Sequence, residues 1–161
     1  MIAPFLIMIL LTMLDFGRAA WTYATLSGAV REGARAAITT GNSKPDDNRV
    51  VDATKAYAIG MVLNAAPCVN DAPPASPSVA SNTGLIYLGA PPGAGAGAPN
   101  APGGQAAAGV GSCGAVVPVV AGRYPLRVTI KYNFQALTPF ASQFFPGGIV
   151  MTVSSTMNTE F

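Results

Sequence analysis

The sequence predicts an α+β protein, in which a long apolar N-terminal helix leads into a small domain whose second helix packs on an antiparallel β-sheet. Three observations predict this. The first fourteen residues carry no charge, and neither proline nor a charge cluster interrupts a helix from Pro4 to about Thr40. Two segments near the C-terminus alternate apolar and polar residues with the period of two that strands require. A long segment rich in proline, glycine and alanine lies between the helices and these strands.

The N-terminal helix is predicted over residues 1–41. Its first part, 1–24, is expected in a membrane or a filament core, and its second part, 25–41, on the head domain 42–161. The uncharged stretch Met1–Leu14 is only ~21 Å long as a helix, against a hydrocarbon core of roughly 30 Å. A membrane span therefore has to continue through Asp15 and Arg18, three positions apart. A charge in lipid costs about 2.5–3.5 kcal/mol, so we expect this pair near an interface or inside protein.

Small residues recur every four positions in the second half of this helix, in lines that let two helix backbones approach closely. The lines are Ala20, Ala24 and Gly28, and Ala29, Gly33 and Ala37. A glycine inside a helix costs about 1 kcal/mol relative to alanine, which requires a packing reason. The alternative is an alanine-rich helix that lies on the sheet of its own domain. The predicted helix-packing residues are Phe5, Leu6, Ile9, Leu10, Met13, Phe16, Ala20, Ala24, Gly28 and Gly33.

A second helix is predicted from Asp46 to Ala66, with acidic residues near its positive N-terminal end and an apolar stripe along one face. Residues 69–122 are predicted to form an exposed, variable loop that contains one short strand candidate, Leu85 to Leu88. Cys68 and Cys113 bracket the part of this loop that is rich in proline, glycine and alanine. We expect a disulfide that ties the base of the loop outside the cytoplasm; the alternative is two separate buried thiols.

The C-terminal strands have the clearest signal. From Leu126 to Phe134 apolar residues at even positions alternate with polar ones, which predicts a strand over 124–136 with one wet face. Residues 148–159 alternate again, after a link in which Thr138 is expected to act as a cap. We predict that the two strands pair antiparallel and that the two helices cover their apolar face.

Composition excludes several classes of function. Only 10% of the 161 residues are charged and the net charge is +2, too small to indicate a nucleic-acid partner. The chain has no histidine, which removes the Ser-His-Asp and Cys-His nucleophile systems and the commonest metal ligand. No paired carboxylates, phosphate loop or metal cluster is apparent in the pattern. We therefore expect no enzyme, no metal and no cofactor.

The block LDFGRAAWTYATLSGAVREGARAAITTG resembles the N-terminal signature of TadE-like proteins, the pseudopilins of the tight-adherence branch of type IV pili. In that signature an apolar helix leads into an acidic-Phe-Gly-Arg motif, here Asp15 to Arg18, and then into a run that ends with Arg31 to Arg35. The C-terminal strands, with Leu137 to Pro139 between them, resemble the C-terminal part of the same family. Members typically have a basic leader and an early glutamate ahead of a proline that resembles Pro4, whereas Phe5 is the fifth residue here.

The resemblance implies a structural subunit. Such a protein sits in the inner membrane, is extracted by pilus assembly machinery, and packs through its apolar helix with copies of itself and other pilins or pseudopilins in a cell-surface filament. There Asp15 and Arg18 are expected to set the register between subunits; the alternative is a local pair at the membrane interface. For Arg31, Glu32 and Arg35 a solvated helix face is the better interpretation. The alternative function is a membrane-anchored adhesion or binding module that does not polymerise.

Overall fold

The computed structural model of the chain describes residues 3–38, 47–66, 68, 72–77, 79–89, 112–113, 123–138, 143 and 145–160. Its elements in chain order are α1 (Ala3–Ile38), α2 (Asp47–Tyr57), β1 (Val62–Ala65), β2 (Thr83–Gly89), β3 (Ser112–Cys113), β4 (Arg123–Phe134) and β5 (Ile149–Glu160). The predicted α+β class is confirmed, because a long apolar helix runs into a small domain built from a second helix and one sheet.

The sheet is mixed, with strand order β1-β2-β4-β5 and β3 paired to β2. The two C-terminal strands pair antiparallel as predicted, from Arg123 opposite Glu160 to Phe134 opposite Ile149. The expectation of a purely antiparallel sheet was wrong, because β2 pairs parallel with both β1 and β3. Parallel neighbours need a long connection, and residues 66–82 supply one between β1 and β2.

The second helix is shorter than predicted. It ends at Tyr57, and the segment Val62–Ala65 is the edge strand β1. Gly60 has a positive φ of 77°, the left-handed conformation that commonly follows a helix end. The prediction failed because apolar residues at 61 and 62 fit a helical stripe as well as a short strand. The strand candidate Leu85 to Leu88 is confirmed within the longer β2, whose residues from Ile86 to Leu88 are buried, so the predicted loop 69–122 is not exposed there. Residues 90–111 and 114–122 of that predicted loop lie outside the described residues.

Both helices cover one face of the sheet, as predicted. The apolar side of β4 faces them with Leu126, Val128, Ile130, Tyr132 and Phe134, all buried. The helices contribute Leu26, Ala29, Val30, Ala34 and Ala37 from α1, and Val50 and Val51 from α2. Each large side chain among them stabilises the domain by about 1.5–3 kcal/mol. The core therefore fixes the second half of α1 on the head.

The predicted wet face of β4 is partly covered, because the connection between β1 and β2 crosses it. The Lys131 ammonium donates to the carbonyl of Ala75 at 3.1 Å, and the Asn133 amide donates to the carbonyl of Val79 at 3.2 Å. Polar side chains on this face therefore satisfy backbone carbonyls of the crossing segment.

Candidate functional site

The first part of α1 protrudes from the domain. Every residue from Ala3 to Leu14 is exposed except the half-buried Thr12, and the exposed fractions reach 62% at Phe5 and 69% at Met13. By length and composition α1 is able to cross a membrane. A soluble domain rarely leaves so continuous an apolar surface in water. This segment is therefore suited to contact lipid or other protein.

Asp15 is the first buried residue of the helix, with 6% of its surface exposed. Its carboxylate accepts three hydrogen bonds from the segment that follows β4. The backbone N–H of Leu137 donates to Oδ1 at 3.1 Å, and that of Thr138 donates to Oδ2 at 3.0 Å. The Thr138 hydroxyl also donates to Oδ2, at 2.6 Å. A charged acceptor strengthens each bond, so Asp15 fastens the helix to the head.

Arg18 completes this contact from the next turn of the helix. One guanidinium nitrogen lies 3.6 Å from Oδ1 of Asp15, and the guanidinium carbon lies 5.6 Å from the ring centroid of Phe134. The arrangement combines an i,i+3 ion pair with a cation–π contact. We call Asp15, Arg18, Phe134, Leu137 and Thr138 the helix junction. These contacts lie within one chain, and the expected register function between subunits stays a prediction.

A polar network braces the helix junction from the head side. The Tyr132 hydroxyl donates to the carbonyl of Asn82 at 3.0 Å, and the side-chain oxygen of Asn82 accepts from the backbone N–H of Gln135 at 3.1 Å. Burial raises the pKa of Tyr132, and the nearby charge of Arg18 opposes that rise. The hydroxyl therefore stays protonated at neutral pH and keeps its bond.

The two lines of small residues on α1 lie on opposite faces of the helix. Ala20, Ala24 and Gly28 are exposed, and a Cβ placed on Gly28 would meet nothing within 4 Å. Ala29, Gly33 and Ala37 are buried. A Cβ on Gly33 would collide with the side chain of Thr54. We call Ala29, Gly33 and Ala37 the buried line, which packs against α2. We call Ala20, Ala24 and Gly28 the exposed line.

The predicted packing residues divide in the same way. Gly33 lies between α1 and α2, whereas the other members lie on exposed surface: Phe5, Leu6, Ile9, Leu10, Met13, Phe16, Ala20, Ala24 and Gly28. From Asp15 to Ala24 one side of α1 packs on the head while the other is exposed, so the two predicted environments of the helix overlap there. Whether the exposed members contact other subunits stays a prediction.

Sequence reasoning missed the head side of the helix junction. The N–H and hydroxyl of Thr138 bind Asp15, and the residues that Thr138 was expected to cap lie largely outside the described part of the chain. The only signal in the sequence was Asp15 itself, since an acidic residue in an apolar helix needs hydrogen-bond donors when it is buried. Arg35 and Glu32 lie 4.0 Å apart with the arginine side chain largely exposed, which agrees with a solvated face.

A protruding apolar helix that hydrogen bonds from Leu137 and Thr138 to Asp15 fasten to a small α+β head indicates membrane anchoring through α1. Residues 1–35 match the family model described as TadE-like protein, which confirms the resemblance over that segment. No curated protein and no solved structure matches the chain. The match indicates a protein associated with tight-adherence pili, and the TadE-like family is a structural one.

Proposed function

We propose that this chain is a structural subunit of a tight-adherence pilus, either the filament subunit or a minor pseudopilin. It is held in the inner membrane by α1 and then assembles through the exposed side of α1 with copies of itself and other pilins. One observation carries the proposal: the apolar surface of α1 continues where the helix lies on the head. Ala20, Ala24 and Gly28 stay exposed there. An anchor that only spans lipid needs no such line beside its domain.

The energetics favour assembly once the helix leaves the membrane. Apolar side chains as large as Phe5, Leu10 and Met13 each cost about 1.5–3 kcal/mol to leave in water. Helices that carry small residues in a line approach each other closely and gain dispersion contacts. A head-to-tail contact that does not close builds a helical filament, in which each copy covers the exposed helix of the next.

The test is a bulky residue on the exposed line. We expect Gly28→Leu to abolish sheared surface filaments, or incorporation into them, while the membrane level of the protein stays normal. The monomer accommodates the side chain, because no atom lies within 4 Å of the new Cβ and leucine favours a helix over glycine by about 1 kcal/mol. The measurement is the amount of protein in the surface and membrane fractions.

Gly28→Ala is the matched control, since it keeps the residue small and also raises helix propensity. We expect it to assemble normally. If the leucine variant enters surface material as wild type does, the exposed line is not an assembly surface, and the non-polymerising anchored module becomes the better description.

We also propose that Cys68 and Cys113 form a disulfide. The backbone supports it, because both cysteines adjoin β2: Cys113 is opposite Gly89, and Cys68 packs beside the buried pair Ala66 and Tyr87. We expect exported wild-type protein to migrate more slowly on denaturing gels after reduction, and Cys113→Ser to migrate identically with and without reductant. A wild-type chain that an alkylating reagent labels at both thiols without reduction would contradict the bridge.

A further inference from the structure

The loop between β4 and β5 exposes apolar side chains at the end of the head from which α1 protrudes. We propose that Leu137, Phe145 and Ile149, described apolar residues at the two ends of this loop, form a second membrane-contact element, which seats the head on the surface of the lipid bilayer around the exit point of the helix. The inference rests on the proposed insertion of α1 and goes beyond it, since a single-helix anchor does not require its head to touch lipid. We call the contact surface the rim; it consists of Phe16, Trp21, Leu137, Phe145 and Ile149.

Direct contacts place the loop beside the protruding helix. Near its start, Leu137 and Thr138 bind the carboxylate of Asp15, which is the first buried residue after the fully exposed segment of α1. At its other end Ile149 pairs with Phe134, whose ring lies against Arg18. Phe145 lies in the tight turn before β5, where its carbonyl accepts from the N–H of Gly148 at 3.0 Å. Both ends of the loop are therefore held next to α1.

The described apolar side chains at the ends of this loop are unusually exposed for their type. Leu137 is 68% exposed and Phe145 is 53% exposed, and Ile149 is exposed as well. Exposure of these side chains to water is unfavourable, whereas their burial at the boundary of headgroups and acyl chains is favourable. A loop that served only to connect two strands would carry polar turn residues at these points.

Charge is sparse at this end of the molecule. Between Lys131 and Glu160 the chain has no acidic or basic residue, and residues 58–70, which follow α2, have none either. Among residues 1–30 the only charges are Asp15 and Arg18, and these two pair with each other. Desolvation at a bilayer surface therefore costs little here.

Aromatic residues mark the height of the bilayer surface on α1. Phe16, Trp21 and Tyr23 are exposed and follow Asp15 along the helix. Tryptophan and tyrosine concentrate at the membrane–water interface, where one end of the ring is apolar and the other is wet. If the interface lies at these residues, the loop fastened to Asp15 lies at or just below it.

The distribution of the rim favours a lipid surface over a protein partner. Phe16 and Trp21 lie on different sides of α1, since five residues correspond to about 1.4 helical turns. Ile59 lies on a third element and is exposed next to Gly60, whose position faces the ring of Trp21. Apolar groups thus lie on more than one side of the helix near the junction, which a planar bilayer matches, whereas a single docked subunit covers one side.

The experiment uses Trp21, the only tryptophan in the chain, as an internal reference. The full-length protein is reconstituted in phosphatidylethanolamine and phosphatidylglycerol vesicles, with and without lipids brominated in the upper acyl chain. The probe is Phe145→Trp in a Trp21→Phe background. The matched control is Asn158→Trp in the same background, because Asn158 is exposed nine residues beyond Ile149 along β5 and about 30 Å from it.

We expect brominated lipid to quench the probe at position 145 at least as strongly as it quenches Trp21 in wild type, and to leave the probe at 158 unchanged. Aqueous iodide should quench the probe at 158 more strongly than the probe at 145. If the protein floats with the vesicles and Trp21 is quenched, but the probe at 145 responds only to iodide, the rim does not touch lipid and the inference is wrong. If the protein does not float, the insertion of α1 itself fails.

Discussion

Asp15→Ala is expected to lower the free energy of unfolding by about 3 kcal/mol, since hydrogen bonds to a charged group contribute roughly 1.5–3 kcal/mol each and partly overlap. The change leaves two backbone N–H groups and the Thr138 hydroxyl without their acceptor. It also leaves Arg18 without its carboxylate partner. Chemical denaturation in detergent micelles measures the loss, and amide hydrogen exchange at Leu137 and Thr138 should accelerate first.

Two milder variants calibrate this result. Thr138→Val removes one of the three donors and should cost about 1 kcal/mol. Arg18→Met keeps an apolar contact with Phe134 and removes a partly exposed charge pair, for which about 0.5 kcal/mol is a typical contribution. The expected order of destabilisation is Asp15→Ala, then Thr138→Val, then Arg18→Met. If the free energy of unfolding of Asp15→Ala were as high as that of Arg18→Met, the helix junction would not be what holds α1 on the head.

Gly33→Ala is expected to destabilise the domain by about 1–3 kcal/mol, the usual cost of forcing an extra methyl group into a packed contact. The new Cβ would collide with the side chain of Thr54 and would lie 3.4 Å from the carbonyl oxygen of Val50. Thr54 is fully buried and its hydroxyl donates to that carbonyl at 2.7 Å, so it cannot turn away without losing the bond. Thermal or chemical unfolding in detergent measures the change.

The same substitution on the opposite face is the control. Gly28→Ala meets no neighbour and should stabilise the helix by about 1 kcal/mol through propensity alone. Thr54→Ala combined with Gly33→Ala should recover part of the loss, because the colliding hydroxyl is gone. Equal stability of the two single variants would mean that the buried line does not seat α2.

The long helix and the two C-terminal strands could be predicted because their signals are local. An uninterrupted apolar stretch defines α1, and the alternation from Leu126 to Phe134 defines the buried face of β4. The strand β1 could not be separated from a helix, since four residues are too few to establish a period. The sequence signal for the end of α2 was Gly60, because glycine readily adopts the left-handed conformation just beyond a helix, and Gly60 has such a φ in the structure.

The helix junction was half predictable. Asp15 and Arg18 are conspicuous in an apolar helix, and a local pair between them follows from their spacing. The donors at Leu137 and Thr138 are more than 120 residues away in the sequence, and only the packing of β4 against α1 brings them to Asp15. Likewise, spacing alone could not tell which small-residue line faces α2, because that depends on how far α1 is rotated on the sheet.

The central claim is that the exposed line of α1 contacts other subunits. The most direct measurement is site-specific photo-crosslinking, with a benzophenone amino acid at Ala24 on that line and at Thr156 of β5 as an exposed control away from it. In cells that make surface pili, we predict that the probe at 24 crosslinks to α1 of another copy or of another pilin, while the probe at 156 does not. A probe at 24 that yields no protein adduct in assembled surface material would contradict the claim.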